Sequence, residues 1–281
     1  GVTAVSGANV WIAAGEKGLW PAGGNMKAAL PDAHLLGVGG AGLFCFSRRK
    51  VEVLHLNKEQ WLAAAPGLES MCLSRDGRFL YELSGEADAL YCVEVKSGKP
   101  LYMAKCGCYP QGLCLHPSGR WLAAAAGATG EINVYEAPEL HLEKTCRVPG
   151  IAARIVFIGT GIVFLSAVEK GEIYTLLGLV RHGAKGYEEV ALYRGLPGDL
   201  LALPDGSIML SVLGQLMHAE IKPYKLLSTL PMEGLITHIA HNGRDTLLTD
   251  SALGQVSLLS LRAPHEKKVL YQGDWVYGVF A

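Results

Sequence analysis

The densest group of metal-capable side chains in the sequence is Cys106-Gly107-Cys108, followed after five residues by Cys114-Leu115-His116. Three thiols and an imidazole are the right donor types for a tetrahedral zinc site. The spacing argues otherwise, because zinc knuckles use Cys-x-x-Cys and this is Cys-x-Cys. Cys106 also ends one alternating segment while Cys114 and His116 lie in the next, more than ~10 Å away if both segments are strands. Ordinary packing is therefore expected, and no metal is assigned. His238 and His241, three apart, fall on opposite faces of a strand and share no metal there. Ser166 and Ser211 lack the Gly-x-Ser-x-Gly elbow that lifts a nucleophile clear of a sheet. No phosphate-binding glycine loop stands before a helix, so no cofactor is implied.

The background composition narrows the function classes. Lys plus Arg number 25 and Asp plus Glu 26, a net charge of −1. That balance excludes nucleic acid or an anionic membrane as a partner bound through net charge. Half of the residues are hydrophobic and 18% are charged, so the chain can bury a core. Apolar stretches such as Trp121–Ala126 are far shorter than the ~18 residues of a membrane span. The cysteines are odd in number, seven, and sit in apolar segments such as Met71-Cys72-Leu73 and Leu113-Cys114-Leu115. They read as small buried hydrophobes with reduced thiols. Gly1–Val10 has neither a basic start nor a long apolar run. Together these features predict a cytoplasmic protein.

The elements that would position any site follow from a repeat. Ser74-Arg75-Asp76-Gly77-Arg78-Phe79-Leu80 returns as His116-Pro117-Ser118-Gly119-Arg120-Trp121-Leu122, with Gly77, Arg78 and Leu80 kept 42 positions on. Glu94 returns as Glu136 at the same offset. The phase continues through Gly159-Thr160-Gly161, Pro204-Asp205-Gly206-Ser207 and His241-Asn242-Gly243-Arg244, and Leu213-Gly214-Gln215 recurs as Leu253-Gly254-Gln255. Each marker is a tight-turn signal between apolar runs of about five residues. The 35 glycines, well above the usual ~7%, fit many such turns.

Within 67–109 the pattern resolves into strands Met71–Ser74, Phe79–Leu83, Leu90–Val95 and Pro100–Ala104. Asn57–Ala65 has helix-friendly composition, yet the phase places a fourth strand there. Four antiparallel strands per ~40 residues is the blade of a β-propeller. The expected fold is all-β: a single domain, 1–281, of seven four-stranded blades. The blades are 2–34 with 276–281, 35–66, 67–109, 110–150, 151–198, 199–234 and 235–275. The tail Trp275–Ala281 looks like an innermost strand that completes the first blade beside Asn9–Gly15, closing the ring with strands from both termini. Val2–Val5 competes for that innermost place.

The units Ser74-Arg75-Asp76-Gly77-Arg78-Phe79-Leu80-Tyr81 and Cys92-Val93-Glu94-Val95-Lys96-Ser97-Gly98-Lys99 resemble the prokaryotic YVTN-type propeller repeat, within the WD40-like superfamily. Arg75 stands where that family has proline, and Glu94 where it has aspartate. The resemblance covers about 67–140 and implies the seven-bladed fold. It leaves the activity open, because similar propellers include binding modules, surface proteins and lactonases.

A propeller's working site is the funnel lined by residues that open each innermost strand. Aligning the repeats on their turn glycines puts Glu69, Gln111, Arg154, Asp199 and Tyr277 there, with Tyr109 and Trp275 just before the same strands as stacking surface. This set suits a small polar ligand, and the expected function is a non-catalytic binding or protein-interaction module. The alternative is a lactonase-like hydrolase with Glu69 or Asp199 as base or metal ligand and Arg154 holding an anionic substrate. Arg181–Glu189 is the one evident insertion and reads as an exposed hairpin.

Overall fold

The computed structural model describes residues 4–5, 8–9, 11–13, 19–21, 33–39, 42–56, 58–241, 245–250, 253–260, 263–272 and 278–280. Strands and turns make up the described residues, and no helix among them is long and apolar enough to cross a membrane. Strands β1 (Ala4–Val5) and β2 (Ala8–Asn9) form a hairpin of their own. Strands β3 (Trp11–Ala13) and β4 (Leu19–Pro21) belong to a three-stranded sheet described below.

Six four-stranded antiparallel sheets follow, each laid out in chain order. The first holds β5 (Ala33–Gly39), β6 (Gly42–Ser47), β7 (Glu52–His55) and β8 (Gln60–Ala63). The second holds β9 (Leu68–Leu73), β10 (Phe79–Ser84), β11 (Ala89–Glu94) and β12 (Lys99–Lys105). The third holds β13 (Pro110–Leu115), β14 (Trp121–Ala126), β15 (Glu131–Glu136) and β16 (His141–Arg147). The fourth holds β17 (Ile151–Ile158), β18 (Gly161–Glu169), β19 (Ile173–Val180) and β20 (Glu188–Arg194). The fifth holds β21 (Pro197–Ala202), β22 (Ile208–Val212), β23 (Gln215–Ile221) and β24 (Tyr224–Pro231). The sixth holds β25 (His238–His241), β26 (Asp245–Asp250), β27 (Gln255–Ser260) and β28 (Ala263–Gln272). Strand β29 (Gly278–Phe280) then pairs with β3 from the other end of the chain, in the order β29-β3-β4. Val5 is in the β1–β2 hairpin, so between the two segments that competed for the place beside β3, the C-terminal one holds it.

The turns that set this phase are closed by their own side chains. Asp76 Oδ1 accepts from the Ser74 hydroxyl at 2.6 Å and the Arg78 N–H at 3.1 Å, and Gly77 takes the left-handed φ of 71° that the turn needs. One repeat later His116 Nδ1 does the same work, accepting the Ser118 N–H at 3.0 Å, with Gly119 at φ 77°. The registers coincide as well: Leu73 faces Leu80 and Leu115 faces Leu122. Strand β8 lies where the repeat phase put it, against the local helical composition of 57–65, because its partner β7 supplies the pairing.

The second strands β10, β14, β18 and β22 are buried on both faces over most of their length. Every residue from Leu122 to Ala126 is buried, and so is Gly161–Ser166. The core therefore lies between successive sheets: Phe44, Leu62, Met71 and Leu80 fill one seam, and Ala123, Ile132, Phe164 and Leu176 another. The first strands β5, β9, β13, β17, β21 and β25 each touch the next, and β29 touches both β25 and β5. Strand β5 begins at Ala33 and β21 at Pro197, because turn glycines fix the phase of a repeat but not where its pairing starts.

Candidate functional site

A β-bulge recurs at the head of the first strands. Pairing skips Glu69 in β9, Gln111 in β13, Ala153 in β17, and Gly198 with Asp199 in β21. A bulge adds an unpaired residue and re-aims its side chain, and such devices gather at functional edges of sheets. Of the positions singled out from the sequence, Glu69, Gln111 and Asp199 are bulged residues and Arg154 stands beside one.

Three of the first strands bring polar groups together. Arg154 Nε lies 3.3 Å from Asp199 Oδ1, and Arg154 Nη1 donates to the Ala153 carbonyl at 2.9 Å. Asp199 Oδ1 also accepts the Leu200 N–H at 2.9 Å, while Oδ2 accepts the Ile239 N–H of β25 at 2.8 Å. The carboxylate therefore fastens β17, β21 and β25 to one another. Its place depends on Gly198: a Cβ there would sit 2.1 Å from the Ile236 carbonyl oxygen and 2.3 Å from Ser211 Oγ. That hydroxyl donates to the same Ile236 carbonyl at 2.6 Å and accepts the Asp199 N–H at 2.8 Å.

His238, the first residue of β25, completes the group. Burial pushes its imidazole down to about 4, Arg154 adds to the shift, and the Asp199 carboxylate opposes it. At neutral pH the ring is uncharged and adds no second cation. Both Asp199 oxygens are already committed to N–H donors, so this carboxylate is poorly placed to act as a general base. Arg154 is different. With a third of its side chain exposed and Nη2 without a partner among the described residues, it presents oriented donors.

The other expected residues do not join this group. Glu69 is exposed on β9 and lies against Gly85, where a Cβ would come within 2.8 Å of Glu69 Cγ. Gln111 is half-buried on β13. Neither makes a hydrogen bond or ion pair with Arg154, Asp199 or His238. Tyr109 precedes β13 with 68% of its surface exposed and a left-handed φ of 50°. Its N–H donates to Asp88 Oδ1 at 3.0 Å and its carbonyl accepts the Gly127 N–H at 2.9 Å. Trp275 and Tyr277 lie outside the described residues.

All seven cysteines are free, and burial pushes the thiols of Cys45, Cys72, Cys92 and Cys106 up to about 12, far from a reactive thiolate. No three His, Cys, Asp or Glu side chains among the described residues converge as metal ligands. The insertion of 181–187 connects β19 to β20, held by a two-point Arg181–Glu188 ion pair and by Tyr187 edge-on to Phe164 at 5.9 Å. Two buried groups escaped the sequence reading. One is His238 as a partner of Asp199. The other is Glu82 on β10, whose Oε2 accepts the Ala65 N–H at 2.8 Å while Oε1 has no hydrogen-bond partner among the described residues.

No family model and no curated protein matches the chain. Likeness to solved structures is widespread, with 1310 matching chains. One is hydrazine synthase of Kuenenia stuttgartiensis, at TM-score 0.71 and 16% identity over 85% of this chain and 79% of that one. At such identity the likeness is one of fold alone: all-β and propeller-like.

Proposed function

We propose that the chain is a seven-bladed β-propeller of the YVTN type, closed by strands from both of its ends, and that it works as a non-catalytic binding module for a small polar anion. The side-by-side run of first strands and the β29–β3 pairing support the architecture. One observation carries the function: Asp199 holds the Arg154 guanidinium in place while its own oxygens stay committed to backbone N–H groups. Such a pair is a fixed donor for a carboxylate and a poor acid–base catalyst. His238, uncharged, adds no second cation. Glu69 and Gln111, on the neighbouring first strands, would supply further polar contacts across the funnel.

D-Gluconate is a suitable probe, a polyhydroxy carboxylate that is also the hydrolysis product of its lactone. Calorimetric titration is expected to show binding that Arg154→Lys weakens about tenfold, because an ammonium lacks the two-pronged geometry. Equal binding by both proteins would overturn this reading. Turnover of glucono-δ-lactone that disappears in Asp199→Asn would establish the hydrolase instead.

A further inference from the structure

A second cavity, of about 280 Å³, lies between the third and fourth sheets, bounded by the β13–β14 turn and the β19–β20 connection. Its walls are Trp121, Val134, Phe157, Ile162 and Val180. His116 lines it as well. With Nδ1 accepting from Ser118, Nε2 donates to the Gly159 carbonyl at 3.0 Å on the next sheet, and the ring stands edge-on to Phe157 at 5.0 Å. The aromatic walls are thus held by a hydrogen bond that crosses the seam.

Charge at the mouth is uneven. Arg181 is committed to Glu188 through two nitrogens. Lys144, half-buried on β16 opposite Val134, makes no ion pair with any described residue. Glu143, exposed, shares the mouth and disfavours a second negative charge on an occupant.

The groove at the seam one repeat earlier is lined differently. There Ser74 takes the place of His116, Phe79 that of Trp121 and Tyr102 that of Lys144, all 42 residues before. That groove is wider, about 820 Å³, and carries Arg75, Asp76 and Glu139 in its lining. Closed aromatic walls and an uncommitted ammonium occur together at the later seam.

We propose that this cavity binds a small aromatic monocarboxylate, its ring between Trp121 and Phe157 and its carboxylate on Lys144. The volume is at the lower end of ligand cavities and suits one or two fused rings. The site is separate from the funnel around Arg154.

The probe is 2-naphthoate, titrated into the intact chain and followed by ligand-observed NMR. Saturable binding is expected in the sub-millimolar range, at least tenfold weaker in both Lys144→Met and Lys144→Glu and lost in Thr160→Trp, which fills the mouth. Arg154→Ala should leave it unchanged, so failure here and failure of the funnel reading are told apart. The uncharged 2-naphthalenemethanol should bind at least tenfold more weakly than 2-naphthoate. Absence of saturable binding, or equal affinity in the wild type and in a folded Lys144→Met, would overturn the proposal.

Discussion

Glu82 and Asp199 perform the same mechanical task at two different seams. Each lies on a strand of one sheet and accepts a backbone N–H from outside it at 2.8 Å, Glu82 from Ala65 in the β8–β9 connection and Asp199 from Ile239 of β25. Their electrostatics diverge. Asp199 has the Arg154 guanidinium beside it and two N–H donors on its oxygens. Glu82 is 1% exposed and, among the described residues, has no cation and leaves Oε1 unpaired, so burial pushes its carboxyl up to about 7. Two carboxylates of similar reach therefore sit in different surroundings, one beside a guanidinium and one without a cation.

The largest effect should come from cutting the Asp199 strap. Asp199→Ala orphans the Ile239 N–H and strands Arg154, and is expected to cost about 3–4 kcal/mol in urea unfolding. A loss under about 1 kcal/mol would mean that water replaces the carboxylate and that the two seams do not differ as described.

The pH dependence separates the seams next. The folded state keeps the Glu82 proton between about pH 4.5 and 7, where an unfolded chain releases it. Glu82 therefore makes stability fall as pH rises through that window, by up to about 3 kcal/mol. His238 acts the other way. With its folded value at about 4, the unfolded chain binds the extra proton between about 4 and 6.5, and stability falls as pH drops through that range. In the wild type the two slopes oppose each other near pH 5–6. Glu82→Gln should leave a curve that rises from pH 4.5 to 6.5, and His238→Gln one that declines from pH 5 to 7. Parallel curves for the two variants would remove the contrast.

The smallest effect sharpens the role of the cation. Arg154 is about one-third exposed, so a double-mutant cycle of Arg154→Leu with Asp199→Ala should give a coupling of only about 1 kcal/mol, reduced by 1 M NaCl. Salt-insensitive coupling would place the pair in a drier setting than its exposure indicates.

What was legible from the sequence was what is local. Asp76-Gly77 and Ser118-Gly119 announce turns because the side-chain acceptor and the left-handed residue are adjacent in the chain. The repeat offset then found β8 and β29, elements with little signal of their own. Arg154 and Asp199 were reachable because both stand near the head of a first strand. Their partner was not: His238 was weighed against His241, three residues away, although its neighbours in space come from one and two repeats earlier. The bulges were invisible because period-two alternation cannot show where a register slips. Glu82 was missed for a related reason: β10 has no solvent face over Leu80–Ser84, so a lone acid breaks no pattern of polar and apolar sides.

The pairing of Trp11–Ala13 with Gly278–Phe280 has a consequence for synthesis. As the polypeptide leaves the ribosome, β3 must wait without this neighbour until residues 278–280 have been made. Every other described pair of strands joins segments close in the chain and can form as soon as it emerges. This contact has the greatest sequence separation of the described strand pairs, and its loop-closure entropy falls due only once both segments exist. Until then β3 offers a bare edge to any passing chain, which makes the minutes after translation the period in which a chaperone would matter most.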